Sequence, residues 1–252
     1  MITLIQHGLQ ERARRRELFV FIALGLLLLL FLGSGNAALS VNGEPITGFT
    51  MLFPVIMHVV NATLCILALV LSVHTIPEEY RRKTSHLIWV RGISQPAYHF
   101  SLALANFLAV ALAGLILYGA VGLYLVKNGE GARLGALLLS FGMLSINTGI
   151  ITSLTSVLSI VWPPLVAGLL SFFVLLAGIL HPVLEWVSYW FDGWTASVLR
   201  AVLRITPDLD AIRSMATGLI QGTAPDWHGL FTALLWLYGI SLLFFVLRKK
   251  EA

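Results

Sequence analysis

Six apolar stretches, over residues 18–39, 50–75, 97–126, 134–160, 162–184 and 227–247, are each long enough to cross a bilayer as a helix. The hydrocarbon core is about 30 Å thick, so a helix rising ~1.5 Å per residue needs roughly 20 apolar residues to span it. Backbone groups in lipid must be paired within the chain. The pattern therefore predicts an all-α, polytopic membrane protein with six transmembrane helices and no separate soluble domain. Charged residues make up 11% of the chain, against about 25% in ordinary soluble domains. With a mean hydropathy of +0.89, a soluble enzyme, a disordered tail and a collagen-like repeat are excluded. A single cysteine, Cys65, excludes an internal disulfide and a cysteine-based zinc or iron–sulfur site.

The first run reads as a retained span rather than a cleaved signal, because it is long. The third would reach about 45 Å as a helix and must tilt or project beyond the lipid. Pro163 and Pro164 separate the fourth from the fifth. Proline ends a helix, so a tight hairpin is expected there. Basic residues set the orientation. With both termini in the cytoplasm, eleven Lys and Arg lie inside and five outside, as the positive-inside rule requires. Three pieces then lie outside the spans: residues 1–17, 76–96 and 185–226.

Residues 1–17 read as an amphipathic helix. Ile2, Ile5 and Leu9 recur at helical spacing, and Arg12, Arg14 and Arg16 lie elsewhere, near lipid headgroups. Such a helix serves either as a plain anchor or as a dock for a partner. In the 76–96 loop, Pro77 suits a first helical turn, with Glu78 and Glu79 beside the positive end of the helix dipole. Arg81, Arg82 and Lys83 follow, Leu87 can seat one face, and Gly92 can end the helix. The reading is a short charged helix at the cytoplasmic mouth, either a protein-binding surface or a solvated connection.

In the 185–226 stretch, Trp186, Tyr189, Trp190, Phe191 and Trp194 are dense enough for helices lying in the headgroup layer. They are interfacial anchors, an outer gate or a periplasmic dock. His58 and Asn61 are polar within span two, and Asn147, Thr148 and Thr152 within span four. Such residues either hydrogen-bond neighbouring helices or line a pathway. A haem held through His58 requires a second histidine at matching depth. No metal site, nucleic-acid partner or nucleophile constellation is expected.

These features resemble the ABC-2-type permeases, the membrane subunits of ABC exporters. Glu79, Thr84, Leu87 and Arg91 occupy places comparable to that family's acidic stretch after span two, and Gly92, Ile93, Ser94 and Tyr98 resemble its run into span three. Residues 203–213, with Pro207, Asp208 and Arg213, are similar to a stretch between spans five and six in the membrane subunit of the transporter for nitrous-oxide-reductase maturation. Lys83 stands where the family has glycine, and Thr206 where that subunit has asparagine. The resemblance implies an exporter subunit in the bacterial inner membrane, paired with a second permease chain. It also implies a cytoplasmic ATPase in two copies, seated on a coupling helix over residues 77–91. ATP and magnesium belong to that partner, since this chain has no G-x-x-x-x-G-K-[ST] loop and no cofactor is expected in it. The other function classes are a membrane scaffold that transports nothing and a haem-bearing redox subunit.

Overall fold

The computed structural model describes residues 2–14, 16–33, 40–41, 44–45, 49–83 and 92–247. The described chain is helical apart from a ladder of two short strands, β1 (Ser40–Val41) and β2 (Glu44–Pro45). Four of its helical stretches are long and apolar enough to cross a membrane, or five if one bent pair counts as a single span. Helix α1 covers Ile2–Ala13 and α2 Arg16–Gly33. Helix α3 (Phe49–Val73) runs almost directly into α4 (Thr75–Arg81), and α5 follows over Gln95–Lys127.

The helix expected over residues 77–91 differs in the structure. It begins at Thr75 and closes at Arg81, and Lys83 turns the chain with a left-handed φ of 57°. Proline explains the break before it. Pro77 has no N–H for the carbonyl four residues back, and its ring crowds that carbonyl. That residue is Val73, where α3 ends, and the freed oxygen accepts from the Ser159 hydroxyl at 3.1 Å. Thr84, Leu87 and Arg91 lie outside the described residues.

Helix α6 (Leu134–Val161) is the axis of the bundle, with α3, α5, α7, α10 and α11 all packed on it. Leu144, Ile150 and Ile151 of α6 are fully buried, as are Leu71 of α3 and Val110 of α5. The hairpin into α7 (Pro164–Ile179) falls at Trp162 and Pro163, as the proline pair predicts.

The fifth apolar stretch is not one straight helix. Helix α7 stops at Ile179 and bends by 72° into α8 (His181–Ser188). Pro182 removes the bond to the Gly178 carbonyl, by the same chemistry as at Pro77. Next comes α9 (Trp194–Ile205), and then α10 (Leu209–Gln221), opened by the Asp208 carboxylate accepting from the Ala211 amide at 2.9 Å. Helix α11 (Trp227–Val246) closes the described chain. Its large side chains, Phe231, Leu235, Tyr238, Leu242 and Phe245, point outward like those of α7 (Leu165, Leu169, Phe173). Apolar exposure on this scale suits a hydrocarbon surround rather than water.

Candidate functional site

At the end of the bundle that carries α4, a helical stripe of α1 packs on α5. The contact is close: a Cβ on Gly8 would stand 2.9 Å from the Ala105 Cβ. That close approach turns Arg12 inward, to 1% exposure, although its charge had suggested a place among headgroups. Ile2, expected on the apolar face, is instead exposed. Arg12 Nε donates to Asn106 Oδ1 at 2.8 Å, and Asn106 Nδ2 donates to Thr75 Oγ1 at 3.0 Å. Thr75 Oγ1 in turn donates to the Leu71 carbonyl at 2.6 Å. One buried chain of polar groups thus joins α1, α5 and the junction of α3 with α4. A buried guanidinium persists only where such partners replace water.

Nearer the surface, Arg82 Nη1 lies 3.1 Å from Glu11 Oε1 and Arg82 Nη2 lies 3.8 Å from Glu78 Oε2. Glu79 is taken from the other side, where Tyr98 Oη donates to Glu79 Oε2 at 2.7 Å. Tyr80 Oη is hydrogen-bonded to His99 Nε2 at 2.9 Å and accepts from Gln95 Nε2 at 2.5 Å. Glu79 is therefore engaged with α5, and Glu78 with Arg82, which itself reaches α1 through Glu11. Arg81 and Lys83 are exposed and make no ion pair among the described residues. Pro77 shapes the junction, so the predicted docking residues divide into a half-buried set (Pro77, Glu78, Glu79), an exposed Arg82 tied to Glu11 and Glu78, and the exposed basic pair Arg81 and Lys83.

A second cluster lies deeper. About halfway along α6, Asn147 Nδ2 donates to Asn61 Oδ1 of α3 at 3.1 Å and to the Leu209 carbonyl at 2.8 Å. Just before α6 begins, Arg133 Nη1 donates to the Ile220 carbonyl at 3.0 Å. These two contacts set α10 antiparallel to the first half of α6, with Leu209, Ile212, Ala216 and Ile220 buried. The 185–226 stretch is thus not a set of surface helices only: α10 packs inside the bundle. At its base, Gly178 lets the chain pass, because a Cβ there would stand 2.7 Å from the Pro207 carbonyl oxygen.

Arg213 Nε pairs with Asp210 Oδ1 at 2.7 Å, both side chains largely shielded, and the two act electrostatically on His58 of α3. The sequence had assigned Arg213 to an outer surface and His58 to a span, and the structure brings them together. Pro207 and Asp208 stand at the start of α10, where the second Asp208 oxygen lies 3.4 Å from His181 Nδ1. Trp190 and Trp194 remain fully outside, at 72% and 75% exposure. Thr148 and Thr152 are buried within this chain's own helices. The hydroxyls of Thr152, Thr155 and Ser156 have no hydrogen-bond partner among the described residues.

Asn106 went unread in the sequence, although one asparagine inside a long uncharged helix is itself a signal. Its partners, Arg12 and Thr75, were out of reach without the tertiary contact. Asn147→Leu removes the side-chain donor that the Leu209 carbonyl and Asn61 share in a buried site, leaving Asn61 Oδ1, among the described residues, only the weak contact from Cys65 Sγ at 3.8 Å. It is expected to destabilise the fold by about 2 kcal/mol, read as a lower melting temperature of the detergent-solubilised protein. An unchanged melting temperature would refute the role given to Asn147 in seating α10. Among known proteins, neither a family model nor a curated relative matches this chain.

Proposed function

We propose that this chain is the membrane subunit of an ABC-2-type exporter, with six spans and both termini in the cytoplasm of a bacterial inner membrane. It pairs with a second permease chain around the pathway and docks on two copies of a separate ATPase, which bring ATP and magnesium. The observation that carries this reading is the braced platform of α1, α4 and the start of α5, which leaves Arg81 and Lys83 facing outward. A loop that merely connects two spans needs no buried arginine and no ion pairs to a preceding helix. A surface that must transmit force to the spans does, because slack would dissipate the stroke. Two outward cations at its tip suit an acidic groove on a partner. At the other end, α10 with its Asp210–Arg213 pair against His58 is a charged element within an apolar bundle, a fitting gate. A periplasmic partner would meet Trp190 and Trp194.

The test is to tag the chain, extract it in mild detergent and identify what co-purifies. An ATPase subunit and nucleotide hydrolysis are expected. Arg81→Glu with Lys83→Glu should release that subunit and reduce hydrolysis at least tenfold, since like charges across an interface cost several kcal/mol. The same variant should elute and melt as the parent does, because both side chains are exposed. Co-purification of other proteins without any ATPase would favour the scaffold reading. An ATPase that stays bound and active with both charges reversed would sink the docking assignment.

A further inference from the structure

Helices α8 and α9 face each other across a cavity of about 230 Å³ lined by His181, Glu185, Ser188, Tyr189, Arg200, Leu203 and Arg204. On α8 the lining residues follow one helical stripe, and on α9 Arg200, Leu203 and Arg204 do the same. The charges that line it are exposed. Among the described residues, Arg200 Nε donates to the Ala196 carbonyl of its own helix alone, at 3.2 Å. Neither arginine forms an ion pair with Glu185 or with any other described acid, although all three share the cavity. His181 is turned to Asp208, and the Ser188 hydroxyl donates to the Glu185 carbonyl at 2.7 Å. Two guanidinium groups and one carboxylate thus line one space. A ligand carrying both signs of charge would complete all three, whereas a simple anion would leave Glu185 opposed to it.

The surroundings say where such a ligand is found. Trp186 and Trp190 stack edge to face with centroids 5.3 Å apart, and they stand exposed on the same turn of chain as Tyr189, which lines the cavity, with Trp194 exposed at the start of α9. Exposed tryptophan and tyrosine collect at the headgroup level of a bilayer, and their faces attract ammonium groups. We propose that the cavity between α8 and α9 binds the zwitterionic headgroup of a membrane phospholipid, its phosphate on Arg200 and Arg204 and its ammonium on Glu185 beside Tyr189. The inference needs only the membrane setting and stands whether or not an ATPase partner exists.

Native mass spectrometry of the intact chain, released from detergent after incubation with phosphatidylethanolamine or phosphatidylglycerol of matched acyl chains, tests it. One phosphatidylethanolamine is expected to stay bound, in preference to phosphatidylglycerol. Arg200→Gln with Arg204→Gln should weaken retention of both lipids about tenfold, the order of one charge-assisted hydrogen bond. Glu185→Gln should weaken only phosphatidylethanolamine, by about the same factor, and so reverse or erase the preference. All three positions are exposed, so the variants should keep the parent's melting temperature. Equal retention of the two lipids by the parent chain would overturn the proposal, as would retention of phosphatidylethanolamine that ignores both substitutions. Displacement by soluble glycerophosphoethanolamine at the lipid's own concentration would assign the cavity to a soluble phosphodiester instead.

Discussion

Gly178→Ala is expected to lower the stability of the detergent-solubilised protein by about 3 kcal/mol, the upper part of the range for overfilling a packed site. The added methyl group would meet the Pro207 carbonyl oxygen and the Leu209 Cγ, each at 2.7 Å. A clash with a side chain can be relieved by a rotamer change, but a clash with backbone cannot. The 207–209 segment must retreat, and in doing so it pulls the Leu209 carbonyl from Asn147. Gly239→Ala is the matched control. It lies in α11 with nothing within 4 Å of the new methyl, and it should stabilise its helix by up to about 1 kcal/mol through backbone entropy. The pair separates crowding from any general effect of replacing glycine in an apolar helix. Equal melting temperatures for both variants would contradict the close passage of α10 beneath α7.

Arg12→Leu carries the other large effect, again about 3 kcal/mol, because a buried polar network loses its charged member. Leucine fills part of the volume but offers no donor, so Asn106 Oδ1 keeps only the 3.3 Å contact from Thr75. Loss of the latch should also free Glu11 from Arg82, since both depend on α1 lying against α5. Amide exchange should therefore quicken in α1 and α4 together, while α6 stays protected. Arg12→Lys keeps a charged donor and should restore part of the protection. Exchange that rises in α1 alone would mean that α4 does not depend on the latch.

Much of the molecule was legible as sequence because lipid leaves few choices. A long uncharged stretch is helical in a bilayer, and the Pro163–Pro164 pair had to end one helix and start another. The bend after Ile179 was equally encoded, in Pro182, yet it went unread because the apolar run continues through it. Pro77 does lie in the first turn of a helix, as its sequence context suggests, and it also sets the end of α3 four residues earlier.

Hydrophobicity and proline position are local properties, and they determined by themselves that this chain is helical, largely apolar outside, and broken where it is. Which polar residues meet was decided only in the tertiary structure. Arg12 and Asn106 are 94 residues apart in sequence, and Asn61 and Asn147 are 86 apart. No local rule distinguishes an arginine bound for headgroups from one bound for a buried asparagine. The difference lies in Gly8, whose missing side chain lets α1 approach α5 closely enough to carry Arg12 inside. Likewise α10 reads as an amphipathic surface helix until Gly178 opens room beneath it and Asn147 supplies a donor for its first carbonyl. Long-range pairing depends on where several helices come to rest together, and that is a property of the packed bundle rather than of any one segment.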